Sequence, residues 1–190
     1  MGRNLFVTAK IKVAFYKAKG NWFNSIIRWW TKSKYSHAEL VLPNNVTWIG
    51  ISPFLTSTVE SRFHLDCDYN NWDFVELEIT NKQHATILDF FEETKGCRYD
   101  WVGMLLSQFL PFSIKRRSKW YCSEWIAYAL RVSGALDWQT IKIYDQSDLS
   151  PGTLYKIILK QKRKNNDIRK STENMEDPRN LQYLPRRFRD

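Results

Sequence analysis

The chain has 190 residues, of which 43% are hydrophobic and 15% aromatic, and its formal net charge is +9. This length suits one domain of ordinary size and is too short for two. The hydrophobic residues are numerous enough to form a core. No stretch approaches the roughly 20 apolar residues of a membrane-spanning helix, so we predict no transmembrane segment.

The three cysteines, Cys67, Cys97 and Cys122, are widely spaced and form no C-x-x-C pair. An odd number at such spacing argues against a disulfide framework and for free thiols. The N-terminus has a basic start but no unbroken apolar run of the kind a signal peptide needs. We therefore expect the protein to be made in a reducing cytoplasm, and we predict neither a cofactor nor a metal site.

The N-terminal part of the chain is predicted to contain strands and one helix. Residues 10–17 alternate apolar and polar side chains, the period of a half-buried strand. Residues 21–34 place large apolar side chains at helical spacing. Residues 38–43 and 46–52 are typical of two strands, joined by an Asn-Asn dipeptide that suits a tight turn.

The middle of the chain is predicted to hold one more strand and a helix. We interpret residues 56–72 as a polar connection, and residues 74–79 alternate as a strand does. Thr80 or Asn81 is suited to cap a helix that Gly96 would end.

Helices dominate the predicted remainder. Residues 101–110 form one helix and residues 121–132 another, which Gly134 ends; residues 150–159 form a final helix or strand. The order of strand, helix, hairpin, strand and then helices predicts an α+β fold, with an antiparallel sheet packed against helices.

The composition changes after Leu159, which divides the chain into a domain of residues 1–159 and a C-terminal arm of residues 160–190. The arm contains ten Lys or Arg and five Asp or Glu residues, so it carries +5 of the total charge. One interpretation is a solvated, flexible extension. The other is a basic arm that docks on an acidic surface, such as a partner protein, a polyanionic wall or nucleic acid.

Cys122 is the best candidate for a reactive residue. It falls in the first turn of a predicted helix, where free N–H groups and the helix dipole favour a thiolate. Cys67 is flanked by Asp66 and Asp68, which oppose ionisation, and Cys97 follows the end of a helix. The alternative is that Cys122 is a small core residue.

His37 is the best candidate for a general base, because it begins a predicted strand. Glu39 lies two positions later and therefore points to the same face, where its carboxylate could orient the imidazole. We interpret His84 as a surface residue, and His64 with Cys67 offers too few ligands for a metal. An ordinary structural strand histidine is the alternative for His37.

Three short motifs in order, YSHAELVL, RYDWVG and WYCSEW, span residues 35–154 together with their surroundings. The chain resembles the permuted papain-like members of the NlpC superfamily, closest to the YiiX-like amidases and small phage-encoded relatives. In that family the histidine strand precedes the cysteine helix. The resemblance implies a circularly permuted papain-like fold, with Cys122 as nucleophile and His37 as base.

The third polar residue of the family normally lies on the strand after the histidine strand. Here that strand reads VTWIGIS and has no carboxylate, so Ser52 and Glu39 are the candidates for this role. The resemblance further implies a peptidase or amidase acting on a peptide or amide substrate, with peptidoglycan stem peptides as the substrate class.

Other functions stay open. The family also has lipid-directed acyltransferases or lipases, which agrees with the tryptophan-rich segment WFNSIIRWWTKSK. Its aromatic residues suit the core, the wall of a substrate cleft, a membrane surface, or the stacking of bases; no nucleic-acid-binding motif accompanies them, so nucleic acid is an unlikely partner. A virion-associated docking protein of a phage, attached through its arm, is the alternative from a different class.

Overall fold

The computed structural model describes residues 8–19, 22–53, 55–65, 68–100, 119–137 and 149–176. Their architecture is α+β: helices pack on an antiparallel five-stranded sheet, as the order of apolar patterns predicts. The predicted helix over residues 101–110 and the end of the arm, residues 177–190, lie outside the described part.

The sheet has the strand order β4-β3-β2-β1-β5, and every neighbouring pair is antiparallel. Its strands are β1 (Thr8–Tyr16), β2 (His37–Val41), β3 (Thr47–Ile51), β4 (Val59–Phe63) and β5 (Trp72–Thr80). Two very short strands, β6 (Arg98–Tyr99) and β7 (Lys119–Trp120), form a separate parallel pair. The central strand of the large sheet is therefore the one that begins with the candidate histidine.

The described helices are α1 (Trp22–Trp30), α2 (Asn81–Thr94), α3 (Cys122–Val132) and α4 (Pro151–Glu176), with a 3-10 turn at Tyr69–Asn71. Helix α2 contacts β5 and β1, α3 contacts β2 and β3, and α4 contacts α3 and β5. Helix α3 begins at Cys122 and packs on β2, which begins at His37. The packing therefore places the predicted cysteine helix beside the predicted histidine strand.

The ends of α2 and α3 follow local sequence signals. The Thr80 side chain caps α2 by accepting from the Gln83 N–H, and Gln83 Oε1 accepts from the Thr80 N–H. The two bonds form a capping box. Gly96 follows α2 with φ +79° and Gly134 follows α3 with φ +73°. Both are left-handed conformations that glycine adopts without a Cβ penalty, as predicted.

The prediction of a polar connection over residues 56–72 was wrong, because this segment contains β4. Only Val59 of this strand is buried; Glu60, Ser61 and Phe63 are exposed and Arg62 is half-buried. An edge strand needs one neighbour and few buried side chains, so it leaves little apolar alternation in the sequence.

Helix α4 starts at Pro151, within the segment predicted as helix or strand, and continues beyond Leu159 to Glu176. Its side chains change from a partly buried set to a run of exposed ones at residues 162–168. Near this transition Gln161 is buried and Lys164 forms an ion pair of 2.9 Å with Asp137. The division between domain and arm at residue 159 therefore falls inside one helix, and whether the arm is independent stays a prediction.

Alternation along the strands separates two apolar clusters. Ile11, Val13 and Phe15 of β1 face the helices and join the main core, which includes Trp125 of α3. Ala14 belongs to a smaller cluster with Val41 and Trp48 on the other face. His37 and Glu39 have the same parity along β2 as Val41, so their side chains leave the strand on this second face.

Candidate active site

Cys122 is the first residue of α3 and is 4% exposed. Within the described part of the chain α3 has no side-chain N-cap, and the first N–H groups of a helix lack intrahelical partners. The backbone N–H groups of Ala38 and Ser123 donate to the sulfur. A helix start and two donors together favour the thiolate form, as the sequence position predicts.

The side chain of His37, the first residue of β2, is hydrogen-bonded to the side chain of Cys122. The Nε2 atom of His37 lies 3.0 Å from Oε1 of Glu39, which leaves Nδ1 for the thiol. The structure therefore brings together the residues predicted as nucleophile and base, with a carboxylate behind the base.

The electrostatics of the pair favour charge separation. Burial disfavours the protonated imidazole, but the Cys122 sulfur and then Glu39 outweigh burial and raise the pKa of His37 to about 10. Burial also opposes ionisation of Cys122, but the charge of His37 and its hydrogen bond, with the two N–H donors, lower the pKa of the thiol. Both shifts favour the ion pair of a thiolate and an imidazolium over the pair of neutral side chains.

Glu39 is 1% exposed and contacts two cations through one oxygen. Its Oε1 accepts from His37 and forms an ion pair with Nη2 of Arg62. Burial alone would raise the pKa of Glu39, but His37 and then Arg62 outweigh it and lower that pKa. Glu39 is thus ionised, and its buried Oε2 atom has no hydrogen-bond partner in the part of the chain that the structure describes.

Ser52, the other candidate for the third residue, is buried at 6% exposure directly after β3. Within the described residues its side chain makes no hydrogen bond to His37, whereas Glu39 does. Both residues line the same cavity. The geometry therefore favours Glu39 over Ser52 as the residue that orients the imidazole.

A cavity of about 300 Å³ opens beside His37. Its wall includes Ser36, His64 and Tyr99 together with His37 and Glu39. Three polar atoms here are buried without a hydrogen-bond partner among the described residues: Ser36 Oγ, His64 Nε2 and Glu39 Oε2. Unpaired polar atoms at one wall of a cavity are what a polar substrate group, or ordered water, would satisfy.

Three residues of this site were not assigned to it from the sequence: Arg62 and Tyr99 were given no role, and His64 was weighed and set aside. Arg62 and His64 belong to or follow β4, the strand that apolar alternation did not reveal. Tyr99 lies in the RYDWVG motif, to which no side-chain role was assigned. Burial and then the Cys122 sulfur raise the pKa of Tyr99 well above its usual value, so its phenol stays protonated beside the thiolate.

The other titratable candidates lie elsewhere. Cys97 is half-buried and Cys67 falls outside the described residues. Among the residues that the structure describes, no group of three or more His, Cys, Asp or Glu side chains is arranged to hold a metal ion. None of the described helices combines the length and the apolar character needed to cross a bilayer.

Comparison with known proteins adds no relative. No protein-family model matches this chain, and searches of curated proteins and of solved structures found no match.

Proposed function

We propose that this protein is a cysteine hydrolase, a peptidase or amidase, with Cys122 as nucleophile and His37 as acid and base. The observation that carries the proposal is that His37 contacts both Cys122 and Glu39, with the thiol pKa lowered and the imidazole pKa raised. A reactive thiolate, a proton donor beside it and a carboxylate that orients the ring are what nucleophilic thiol catalysis needs.

The proposed reaction has two halves. The Cys122 thiolate attacks the carbonyl carbon, and the imidazolium of His37 gives its proton to the leaving nitrogen as the C–N bond breaks. This leaves a thioester on Cys122 and a neutral imidazole. A water then attacks the thioester while His37 takes its proton, which releases the carboxylic acid product and restores the ion pair.

The negative charge that develops on the carbonyl oxygen needs donors. The backbone N–H of Cys122 lies at the helix start, where it needs no intrahelical partner and the dipole is favourable. The protonated phenol of Tyr99, which lines the cavity and interacts electrostatically with the sulfur, is the second proposed donor.

The fold that we propose is the circularly permuted papain-like one. It is supported by the chain order, since the histidine strand precedes the cysteine helix, and by the packing of α3 on β2 and β3. Together with the resemblance in three motifs, this suggests peptide or amide substrates, with peptidoglycan stem peptides as the first class to test.

A lipid ester is the second candidate substrate. Ile27 of α1 and Leu55 form part of the cavity wall, and Leu55 is 70% exposed at the same time. An apolar wall that continues to the surface suits an acyl chain better than a charged peptide.

The test compares purified wild type with Cys122→Ala, His37→Ala and Cys97→Ala, on cell-wall peptidoglycan and on a lipid ester. We expect release of new amine from the wall to be lost in the first two variants and kept in the third, a cysteine change outside the site. Activity on the ester alone would show that the substrate is a lipid ester and not a peptide or amide. A wild type inert on both substrates, with a thiol no more reactive than Cys97, would contradict a catalytic role and favour a virion docking protein.

A further inference from the structure

Helix α1 presents an apolar stripe to solvent. Trp22 is 72% exposed, Ile26 42% and Trp29 80%. Their spacing of four and then three residues places them on one side of the helix. Exposed tryptophans are costly in water, and a stripe of them on a surface helix marks a place of contact with another phase or molecule.

The surroundings of this stripe are positively charged. Residues 17–36 contain five Lys or Arg residues and no Asp or Glu. Lys17 and Lys34 form ion pairs with Asp73. Within the described residues no carboxylate pairs with the other three, Lys19, Arg28 and Lys32. The stripe therefore has a basic border that an anionic partner would complement.

Hydrogen bonds join α1 to the segments that flank it in the chain. Arg28 donates to the carbonyls of Ala18 and Lys19, which ties the preceding turn to α1. After the helix, Lys32 has the left-handed φ of 47°, and the Ser33 N–H donates to the Arg28 carbonyl at 3.1 Å. This conformation ends α1. These contacts define both ends of the helix that carries the apolar stripe.

The stripe also lies next to the cavity. Asn24 and Ile27, on the inward side of α1, line the cavity beside His37. Leu55, from the loop between β3 and β4, lines it as well and is largely exposed. A surface that receives the apolar side chains of α1 would therefore meet the protein at the edge of this cavity.

We propose that α1 docks this protein on an anionic phospholipid surface. In this arrangement Trp22, Ile26 and Trp29 enter the interfacial layer, and the exposed Lys19 and Lys32 contact lipid phosphates. Tryptophan on one side and cations beside it are the features of helices that lie in a membrane interface.

The test is co-sedimentation of the full-length protein with vesicles of phosphatidylcholine alone or of an equal mixture with phosphatidylglycerol. We expect binding to the mixed vesicles at low salt, at least tenfold weaker on pure phosphatidylcholine, and weakening as salt is added. Ile26→Ser/Trp29→Ser should reduce binding at least tenfold, and so should Lys19→Glu/Lys32→Glu.

The matched controls lie on α4, away from the stripe. Ile168 is 56% exposed and Lys162 and Arg163 are exposed. Ile168→Ser and Lys162→Glu/Arg163→Glu should bind as wild type does, and circular dichroism melting checks that every variant is folded. Equal loss in the α4 variants, or no vesicle binding by wild type, would overturn the proposal. So would stronger binding of wild type to an oligonucleotide that depends on the same α1 residues. Because binding is measured without substrate, its outcome is independent of whether the site is active.

Discussion

The carboxylate of Glu39 lies 3.0 Å from the imidazole of His37, two positions earlier on the same strand. Successive side chains on a strand alternate between its faces, so this pair needs no other element to form it. The thiol of Cys122 is brought to the other ring nitrogen by the packing of α3 on β2. The His37–Glu39 pair is therefore formed by neighbours in the sequence, whereas the contact of His37 with Cys122 depends on tertiary structure.

The first prediction concerns the reactivity of the thiol. Because the thiol pKa is lowered by its contact with His37, iodoacetamide should alkylate Cys122 at a lower pH than it alkylates an ordinary thiol. Labelling of Cys122 should exceed labelling of Cys97 and Cys67 at pH 7. His37→Ala should slow labelling there about tenfold for each unit by which the thiol pKa rises. Peptide mapping by mass spectrometry measures this, and labelling led by Cys97 would contradict the assignment.

The second prediction distinguishes the two candidates for the third residue. Glu39→Gln removes the charge that helps to hold His37 protonated, so the pKa of His37 should fall and the alkaline limit of activity should move to lower pH. Ser52→Ala should leave the pH profile unchanged, since Ser52 makes no hydrogen bond to the imidazole within the described residues. The measurement is kcat/KM against pH for both variants. A shift in the Ser52 variant with none in the Glu39 variant would reverse the assignment.

The sequence predicted features that depend on near neighbours. The shared face of His37 and Glu39, the cap at Thr80 and the left-handed glycines at 96 and 134 all follow from residues a few positions apart. These features are set by backbone geometry, which needs no knowledge of the fold.

The features that the sequence did not reveal depend on pairing between distant residues. Arg62 reaches Glu39 because β4 pairs with β3, where Trp48 lies opposite Arg62. Nothing local marks this register, since β4 buries only Val59. The extension of α4 to Glu176 was also missed. A helix can continue without an apolar face, so the loss of apolar periodicity after residue 159 indicates solvent exposure and not the end of the helix.

The third prediction concerns the close approach of α4 to the end of α1. A Cβ at Gly152 would overlap the Ser33 Oγ atom and lie 2.6 Å from its Cβ. Gly152→Ala should therefore destabilise the protein by about 1–3 kcal/mol, the usual cost of overpacking. Adding Ser33→Gly should restore part of the loss. Urea unfolding measures both, with Lys156→Ala, an exposed change on the same helix, as the control.

The fourth prediction tests the boundary between domain and arm. Removing residues 169–190 should change the melting temperature little, because the side chains at 162–168 that precede them are already exposed. Removing residues 160–190 should lower it further, since Gln161 is buried and Lys164 pairs with Asp137. Differential scanning calorimetry on the two truncations decides this. Equal melting temperatures would place the boundary at residue 159.

The last prediction concerns Arg62, which contacts Glu39 but not the reacting pair directly. Arg62→Met removes one of the two cations beside a carboxylate that is 1% exposed, so it should destabilise the fold by roughly 3 kcal/mol at pH 7. Glu39 has a lowered folded pKa, and such a group contributes stability above its unfolded pKa and loses it as pH falls through the folded value. The deficit of the variant should therefore be complete above about pH 5 and shrink below pH 4. Arg62→Lys keeps the charge and should recover part of the loss. Urea unfolding at several pH values measures the deficit, and a deficit that does not change with pH would mean that Arg62 acts through packing alone.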